Sequence, residues 1–347
     1  MTTRYVDVDA EVGGDGTTAG LTGGTCAYKS QNIAEAALPA TLTDAWEIIC
    51  GSAHANHTAD STATIFNGTT TSEANYIDIY ASVGSRHAGV WSDSKYRLKV
   101  SGSHCLDIYN FYVRIDYLQV ELTSTAGNLA AINLNAHPSS AANEIRITNC
   151  LLRGVVSGGS GTACAGIRVY ESNFAATVLK CWNCISYNFY NSTYPNDSSN
   201  VGYVNLYGVA TFQNCTAYRC GTGYKKNSTY SITCTNCLSV GNAVNANYID
   251  FSGTITQSYN ISSDTTSDGT GSIDSQSLTD IDFISTTAGS EDLHIQSTST
   301  AVGAGTDLSG SFTLDIDGET RVAWDIGADE YIAAGGGGNP WYAYAQQ

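Results

Sequence analysis

One short phrase recurs through the middle of the chain and limits what this sequence can fold into. It is a run of alternating, β-branched-rich residues that ends in Asn-Cys. The four copies end at Asn149–Cys150, Asn183–Cys184, Asn214–Cys215 and Asn236–Cys237. Their cysteines are 34, 31 and 22 residues apart, and each copy runs into a Gly, Ser or Asn cluster. A strand and a turn at a period of about 20 to 50 residues predict a stacked solenoid, because one copy has too little apolar surface to bury alone.

The composition favours strands over helices. The chain holds one Met and fifteen Lys plus Arg among long runs of Thr, Ser, Asn, Gly, Tyr and Val. The best helix candidate begins after Ser30, the predicted N-cap, and ends at Pro39. Together with a strand at Arg4–Asp9 and a Gly-rich loop, this helix predicts a cap for the open end of the solenoid.

The charge and hydropathy of the chain bear on its partners and location. A formal net charge of −17 and a pI near 4.5 argue against a nucleic-acid partner, whose phosphates are bound where Lys and Arg gather. No stretch of 18 apolar residues occurs, so the sequence predicts no membrane span. Residues 1–6 lack an apolar run, which predicts no signal peptide. A surface-type composition without an export signal then predicts a virion or extracellular location.

Eleven cysteines cannot form a complete set of intramolecular disulfides. The cysteines of the four phrases hold equivalent positions, so they are predicted to stack as a ladder of reduced core residues. Two C-x-x-C pairs, Cys181 with Cys184 and Cys234 with Cys237, leave structural zinc as an alternative. In a strand the two members of such a pair point to opposite faces, which disfavours zinc.

The asparagines of the phrases are predicted to stack at a bend beside the Cys ladder. Each side-chain amide would hydrogen-bond to the next coil and to turn backbone, and Asn tolerates left-handed geometry. Asp116 stands 33 residues before Asn149, so we expect the ladder to extend back to it.

A more specific pattern follows the last coils. It consists of Asp292-Leu-His294-Ile-Gln296, then Asp315-Ile-Asp317-Gly318 with Arg321, then Asp325-Ile-Gly-Ala328 with Glu330 and Tyr331. Residues 292–331 thereby resemble the closing segment of right-handed parallel β-helix repeat proteins, which have the pectate-lyase-like superfold and occur in phage virions and on bacterial surfaces. One departure is that Ser299–Gly305 lacks the Pro and the Asp of the turn that such proteins usually carry there.

The resemblance implies an all-β fold: a single-stranded, right-handed parallel β-helix with an N-terminal capping strand and helix and an extended C-terminal tail. We divide the chain into a cap and first coil at residues 1–60, coils at 61–290, a closing coil segment at 291–332, and a Gly linker with an aromatic tail at 333–347. The fold does not imply an activity, because lyases, hydrolases, adhesins and virion spikes share it.

The tail is predicted to dock on a partner. Trp341, Tyr342 and Tyr344 follow the Gly-rich linker, and such tethered aromatics are favoured interface anchors. A disordered end and a tail that packs back on its own coils are the alternatives.

For polysaccharide cleavage, the sequence offers the carboxylates Asp107, Asp116 and Glu121 with the basic residues Arg114 and Arg146, and with His104 nearby. A glycosidase needs paired carboxyl groups and a lyase needs a proton-abstracting base. An ordinary solvated face with weak ion pairs is the alternative. Candidate stacking platforms for sugar rings are Tyr187, Tyr190, Tyr194, Tyr203 and Tyr207.

Metal and cofactor signals are sparse. Asp315, Asp317 and Glu319 alternate as in a calcium loop, but the twelfth position is Ile326, which excludes an EF-hand. We predict no metal and no cofactor, and leave calcium at Asp264–Asp268 open.

Two hypotheses for the function follow. The first is a structural or adhesive phage virion protein, such as a tail fibre, spike or head-surface decoration, that binds other virion proteins or a cell-surface polysaccharide. A homo-oligomer, such as a trimer, fits this hypothesis. The second is a polysaccharide lyase or glycoside hydrolase that acts on a face of the coils.

Overall fold

The structure is a computed structural model that describes residues 1–51, 57–135, 143–159, 161, 163–170, 177–194, 198–227, 229–242 and 249–333. Three helices are short: an α-helix at Gln31–Ala36, a 3-10 turn at Val83–Ser85 and an α-helix at Leu278–Ile281. The remaining regular structure is β-strand.

Three long sheets, here called A, B and C, contain almost all of the strands. Sheet A has nine strands: Thr2–Val6, Trp46–Cys50, Ile77–Ala81, Val113–Asp116, Asn143–Thr148, Thr177–Trp182, Val209–Gln213, Ile232–Thr235 and Thr256–Ser258. Sheet B has seven: Arg97–Ser101, Gln119–Ser124, Leu151–Val156, Ile185–Tyr187, Thr216–Tyr218, Leu238–Val240 and Ile261–Ser262. Sheet C also has seven: Thr64–Phe66, Leu106–Ile108, Leu129–Leu134, Cys164–Val169, Val201–Asn205, Thr222–Lys226 and Ile249–Ser252.

The chain visits the three sheets in rotation. From Ile77 to Ser262, successive strands belong to sheets A, B and C in turn, and each strand that has a counterpart one coil earlier pairs with it in parallel. Parallel crossovers of this kind are right-handed. The protein is a right-handed parallel β-helix. The fold class predicted from the repeated phrase and from the closing segment is therefore confirmed.

The N-terminal residues occupy the first rung of sheet A. Thr2–Val6 pairs with Trp46–Cys50, and the backbone N–H of Ile33 donates to the Ser30 side chain, which caps the helix as predicted. The helix ends at Ala36, before Pro39. The division into four segments is not tested by this arrangement and stays a prediction.

Stacked aromatic rings fill the core beside sheet C. The ring centroids of Tyr203 and Tyr224 are 4.9 Å apart, and those of Tyr224 and Phe251 are 5.0 Å apart. Each Tyr hydroxyl donates to a backbone carbonyl, Tyr203 to Cys184 and Tyr224 to Cys215. Tyr203 is thus wrong as a platform for sugar rings, because its strand turns it inward.

All eleven cysteines are reduced and buried. Those of the four phrases lie in successive coils, where their thiols donate to backbone carbonyls of the core and Cys184 Sγ accepts the backbone N–H of Cys150. No group of three cysteines within the described ranges has the spacing of a metal site.

The closing segment, taken here from Leu278 to Tyr331, folds back along the side of the β-helix. Phe283–Ser285 and Asp292–Ile295 form a small antiparallel sheet. Apolar residues of this segment pack on the outer face of sheet B; the cluster includes Leu151, Ile185, Tyr187, Tyr218, Leu238, Ile281, Phe283, Leu293, Ile295, Ile316 and Ile326. Tyr187, another expected sugar platform, is buried beneath this segment.

Candidate functional site

The Asn of each phrase occupies the bend between sheets A and B. Six residues at this bend have left-handed φ angles between 46° and 55°: Tyr117, Asn149, Asn183, Asn214, Asn236 and Tyr259. Asn183 donates its amide to Asn149 Oδ1 at 3.1 Å, and Asn236 donates to Asn214 Oδ1 at 3.1 Å. Asn is suited to this position because it tolerates the left-handed conformation.

Asp116 lies one residue before the bend, so the expectation that it occupies the ladder position is wrong; Tyr117 does. Asp116 instead ends the ladder as an acceptor. Its Oδ1 accepts from Thr148 Oγ1 and from Asn149 Nδ2, both at 2.7 Å. Burial raises the pKa of this carboxyl, while the two donors oppose that shift.

The closing motif, residues 292–331, contains a buried polar network. Arg321 pairs with Glu330 at 3.4 Å, and both side chains are fully buried. Glu330 also accepts the backbone N–H groups of four residues: Val322, Ala323, Trp324 and Asp325. Arg321 donates to Asn183 Oδ1 at 3.0 Å, which ties the closing segment to the Asn bend. The motif therefore holds the two parts of the fold together.

The predicted catalytic carboxylates are not brought together, because they lie on three different sheets. Asp107 is in sheet C, where it accepts from Asn133 at 2.7 Å, and Glu121 is in sheet B, where it pairs with Arg153 and Lys99. Asp116 is in sheet A. The coil turns between Asp107 and Glu121 carry these side chains onto different faces, so the proposed cluster is wrong as a single site.

The two arginines do lie together on sheet A, within an outward-facing line that we call the outer row. Across neighbouring strands it reads Glu47, Asp78, Arg114, Arg146 and Lys180. A groove of about 140 Å³ beside this row is lined by Glu73, Tyr112, Arg114, Glu144 and Arg146. Glu144 pairs with both Arg146 and Lys180.

Asp78 has the electrostatics of a proton donor in the outer row. Burial and the neighbouring Asp116 carboxylate raise its pKa to about 6, against the pull of Arg114. Sequence reasoning missed Asp78, because only the register of the stacked coils shows that it stands beside Arg114.

A larger groove of about 250 Å³ lies where the coils meet the closing segment, and we call it the junction groove. The polar and aromatic side chains that line it are Asn188, Tyr190, Ser192, Arg219 and Glu291, together with Ser157. Asn188 Nδ2 donates to Glu291 Oε1 at 2.8 Å, and Gly289 N donates to Oε2 at 3.0 Å. Asn188 Oδ1 is buried without a hydrogen-bond partner among the described residues. Such an acceptor requires an explanation.

Arg219 has an unusual backbone for its residue type. In three successive coils, the residue directly after the sheet B strand is Asn188, Arg219 or Gly241. Their φ angles are 61°, 53° and 65°. Asn and Gly tolerate this conformation, whereas Arg does so at a cost of about 1–2 kcal/mol. Its guanidinium lies 4.8 Å from the Tyr190 ring centroid and donates to Tyr190 Oη at 3.1 Å. Backbone strain of this kind is characteristic of functional sites. An alignment of the three sheet B strands in the sequence would have shown Arg219 at a position where the neighbouring coils have Asn and Gly.

Two groups of side chains have the spacing of metal ligands within the described residues. Asp7, Asp9 and His57 form one group near the N-terminus; His294, Asp317 and Asp329 form the other in the closing motif. Neither includes Asp264 or Asp268; Asp264 accepts from Thr266 and from the backbone N–H of Asp250. Calcium at that loop stays a prediction.

The aromatic tail, with Trp341, Tyr342 and Tyr344, lies outside the described residues. In the described part of the chain, no helix is long and apolar enough to cross a membrane.

Comparisons with known proteins do not identify a family for this chain. No family model matches the chain, and no curated protein matches it. Among solved structures, that of the pectate lyase Pel9A is similar, with 14% sequence identity, a TM-score of 0.35, and coverage of 96% of this chain and 97% of that one. At this TM-score the similarity carries no argument about activity, and the β-helix assignment rests on the parallel sheets themselves.

Proposed function

We propose that this protein is an adhesive β-helix that binds a saccharide in the junction groove. The observation that supports this most is Arg219, an arginine kept in a left-handed conformation over Tyr190, at a bend where the neighbouring coils have Asn and Gly. Because the left-handed backbone disfavours Arg at this position, the Arg219 side chain is expected to have a function there.

The groove offers the chemistry that a sugar requires. Tyr190 is a half-buried aromatic surface, and aromatic rings with a few polar groups are the usual lining of a small-molecule site. Arg219 supplies donors, while Glu291 and the unpartnered Asn188 Oδ1 supply acceptors for hydroxyl groups. One cation and one carboxylate leave the lining close to neutral, which favours a neutral saccharide over a polyanion.

A glycan array tests this proposal. We expect the wild-type protein to bind a subset of neutral oligosaccharides, and Tyr190→Ala to weaken that binding about tenfold or more, equivalent to about 1.4 kcal/mol. Tyr170→Ala is the matched control, since Tyr170 is an exposed tyrosine that does not line the groove. Equal loss in both variants, or no binding by the wild type, would count against the site.

We also propose, from the sequence, that the protein is carried on a phage particle. Its partners there are other virion proteins or a host-surface polysaccharide, and it forms a homo-oligomer. Co-sedimentation with particles tests the location. Deleting residues 335–347 should abolish attachment if the tail docks. Unchanged attachment would refute the docking role of Trp341, Tyr342 and Tyr344.

The outer row of sheet A supports a second candidate function, polysaccharide cleavage with Asp78 as general acid. A carboxyl with a pKa of about 6 is protonated below that pH, so turnover should fall about tenfold per pH unit above it. Reducing-end release measured between about pH 5 and 8 checks this, with Asp78→Asn as the inactive variant. A flat profile, or no turnover on any polysaccharide, removes this candidate.

A further inference from the structure

The closing motif places three potential metal ligands around one point. Ligand atoms of His294, Asp317 and Asp329 all lie within 4.8 Å of one another. His294 Nε2 is 2.7 Å from Asp317 Oδ2, and Asp329 Oδ2 accepts the backbone N–H of Ile295 at 2.8 Å. The side chains of His294 and Asp317 are 7% and 3% exposed, so water does not screen them well.

A fourth residue orients the histidine. Asp292 Oδ1 lies 2.5 Å from His294 Nδ1 and accepts its hydrogen, which leaves Nε2 directed at Asp317. A carboxylate that holds the far nitrogen of an imidazole is the usual outer-shell partner of a metal-bound histidine. Asp292 therefore orients the imidazole, and a metal ion would displace the proton that Nε2 donates to Asp317 Oδ2.

An independent observation is the second oxygen of Asp317. Oδ1 is buried and has no hydrogen-bond partner among the described residues. It faces Gly89, where a Cβ would lie 2.5 Å from this oxygen and 2.3 Å from His294 Nε2. A buried carboxylate oxygen without a donor is costly, and a cation is the partner that would compensate it.

The geometry points to a site for one divalent transition metal ion of the Zn²⁺ class, with His294, Asp317 and Asp329 as ligands and Asp292 behind the histidine. One imidazole with carboxylates suits zinc, cobalt, nickel and manganese better than calcium, which prefers an all-oxygen shell. The ion would cross-link three parts of the closing segment. The site is separate from the junction groove, so metal binding and saccharide binding are independent proposals with separate tests.

Metal titration of the whole chain tests this inference. After chelator treatment, CoCl₂ is added with visible absorption as readout, and ZnCl₂ with calorimetry. We expect wild-type protein to show cobalt ligand-field bands and a raised midpoint of thermal unfolding. Asp317→Asn should bind one equivalent of metal fewer than wild type. Any metal bound at Asp7, Asp9 and His57 is the same in both proteins, so the difference between them reports the closing motif alone. Asp292→Asn should weaken binding about 10–100-fold.

Asp307→Asn is the matched control, because Asp307 is an exposed carboxylate of the same segment. A measurement on the wild type alone covers the case in which a variant misfolds: the nitrogen chemical shifts of His294 should change on adding Zn²⁺. The inference is overturned if wild type and Asp317→Asn bind equal amounts of metal. It is also overturned if His294 stays doubly protonated with Zn²⁺ in excess, since the cluster then holds a proton in place of a metal.

Discussion

Replacing Glu330 with Gln is expected to lower the free energy of unfolding by about 3–5 kcal/mol, the usual cost of breaking a buried ion pair by removing one partner. Glu330 neutralises Arg321 in a fully buried position and accepts four backbone N–H groups. A Gln amide is neutral, and its NH₂ group would face donors whichever way it is placed. Urea denaturation at neutral pH measures the loss.

The control for this experiment is Asp307→Asn, an exposed change in the same segment that should stay within about 0.5 kcal/mol of wild type. A loss of under about 1 kcal/mol for Glu330→Gln would contradict the view that the closing motif holds the fold together. It would also indicate that Arg321 finds enough partners in the surrounding carbonyls and in Asn183.

Much of the architecture could be predicted from the sequence because a solenoid repeats its signals. Four successive coils repeat the same strand, bend and buried Cys, so the Asn-Cys phrase predicted both the fold and the left-handed bend. The error at Asp116 arose from counting residues between copies: the phrase spacing varies, and only the strand register shows that Tyr117 occupies the bend.

The candidate site could not be predicted, because it depends on contacts between distant parts of the chain. Asn188 and Glu291 meet only since the closing segment folds back along sheet B. Asp78 and Arg114 meet only through strand pairing. The sequence also did not show which tyrosines face solvent, because this depends on their place in each coil: Tyr203 faces inward, while Tyr194 and Tyr207 are exposed.

Arg219→Gly should separate binding from stability. Gly is the residue that the next coil uses at the same bend, so the substitution relieves about 1–2 kcal/mol of left-handed strain. It gives up a cation–π contact worth about 0.5–1 kcal/mol, so the net change in stability should stay within about 1 kcal/mol. Saccharide affinity should nevertheless fall about tenfold or more, because the groove loses its donors.

The companion variant Arg219→Asn copies the residue that the preceding coil uses, Asn188. It should behave like the Gly variant in both urea denaturation and saccharide titration. If either variant unfolds at markedly lower urea while its remaining folded fraction binds normally, Arg219 has a structural role and the argument from strain is wrong.

The most direct measurement is a crystal structure of the protein with the oligosaccharide selected on the array. The proposed function predicts a sugar ring against Tyr190, with hydroxyl groups bonded to Arg219, Glu291 and Asn188. A saccharide on the outer row beside Asp78 and Arg114, or an empty junction groove at saturating concentration, would contradict it.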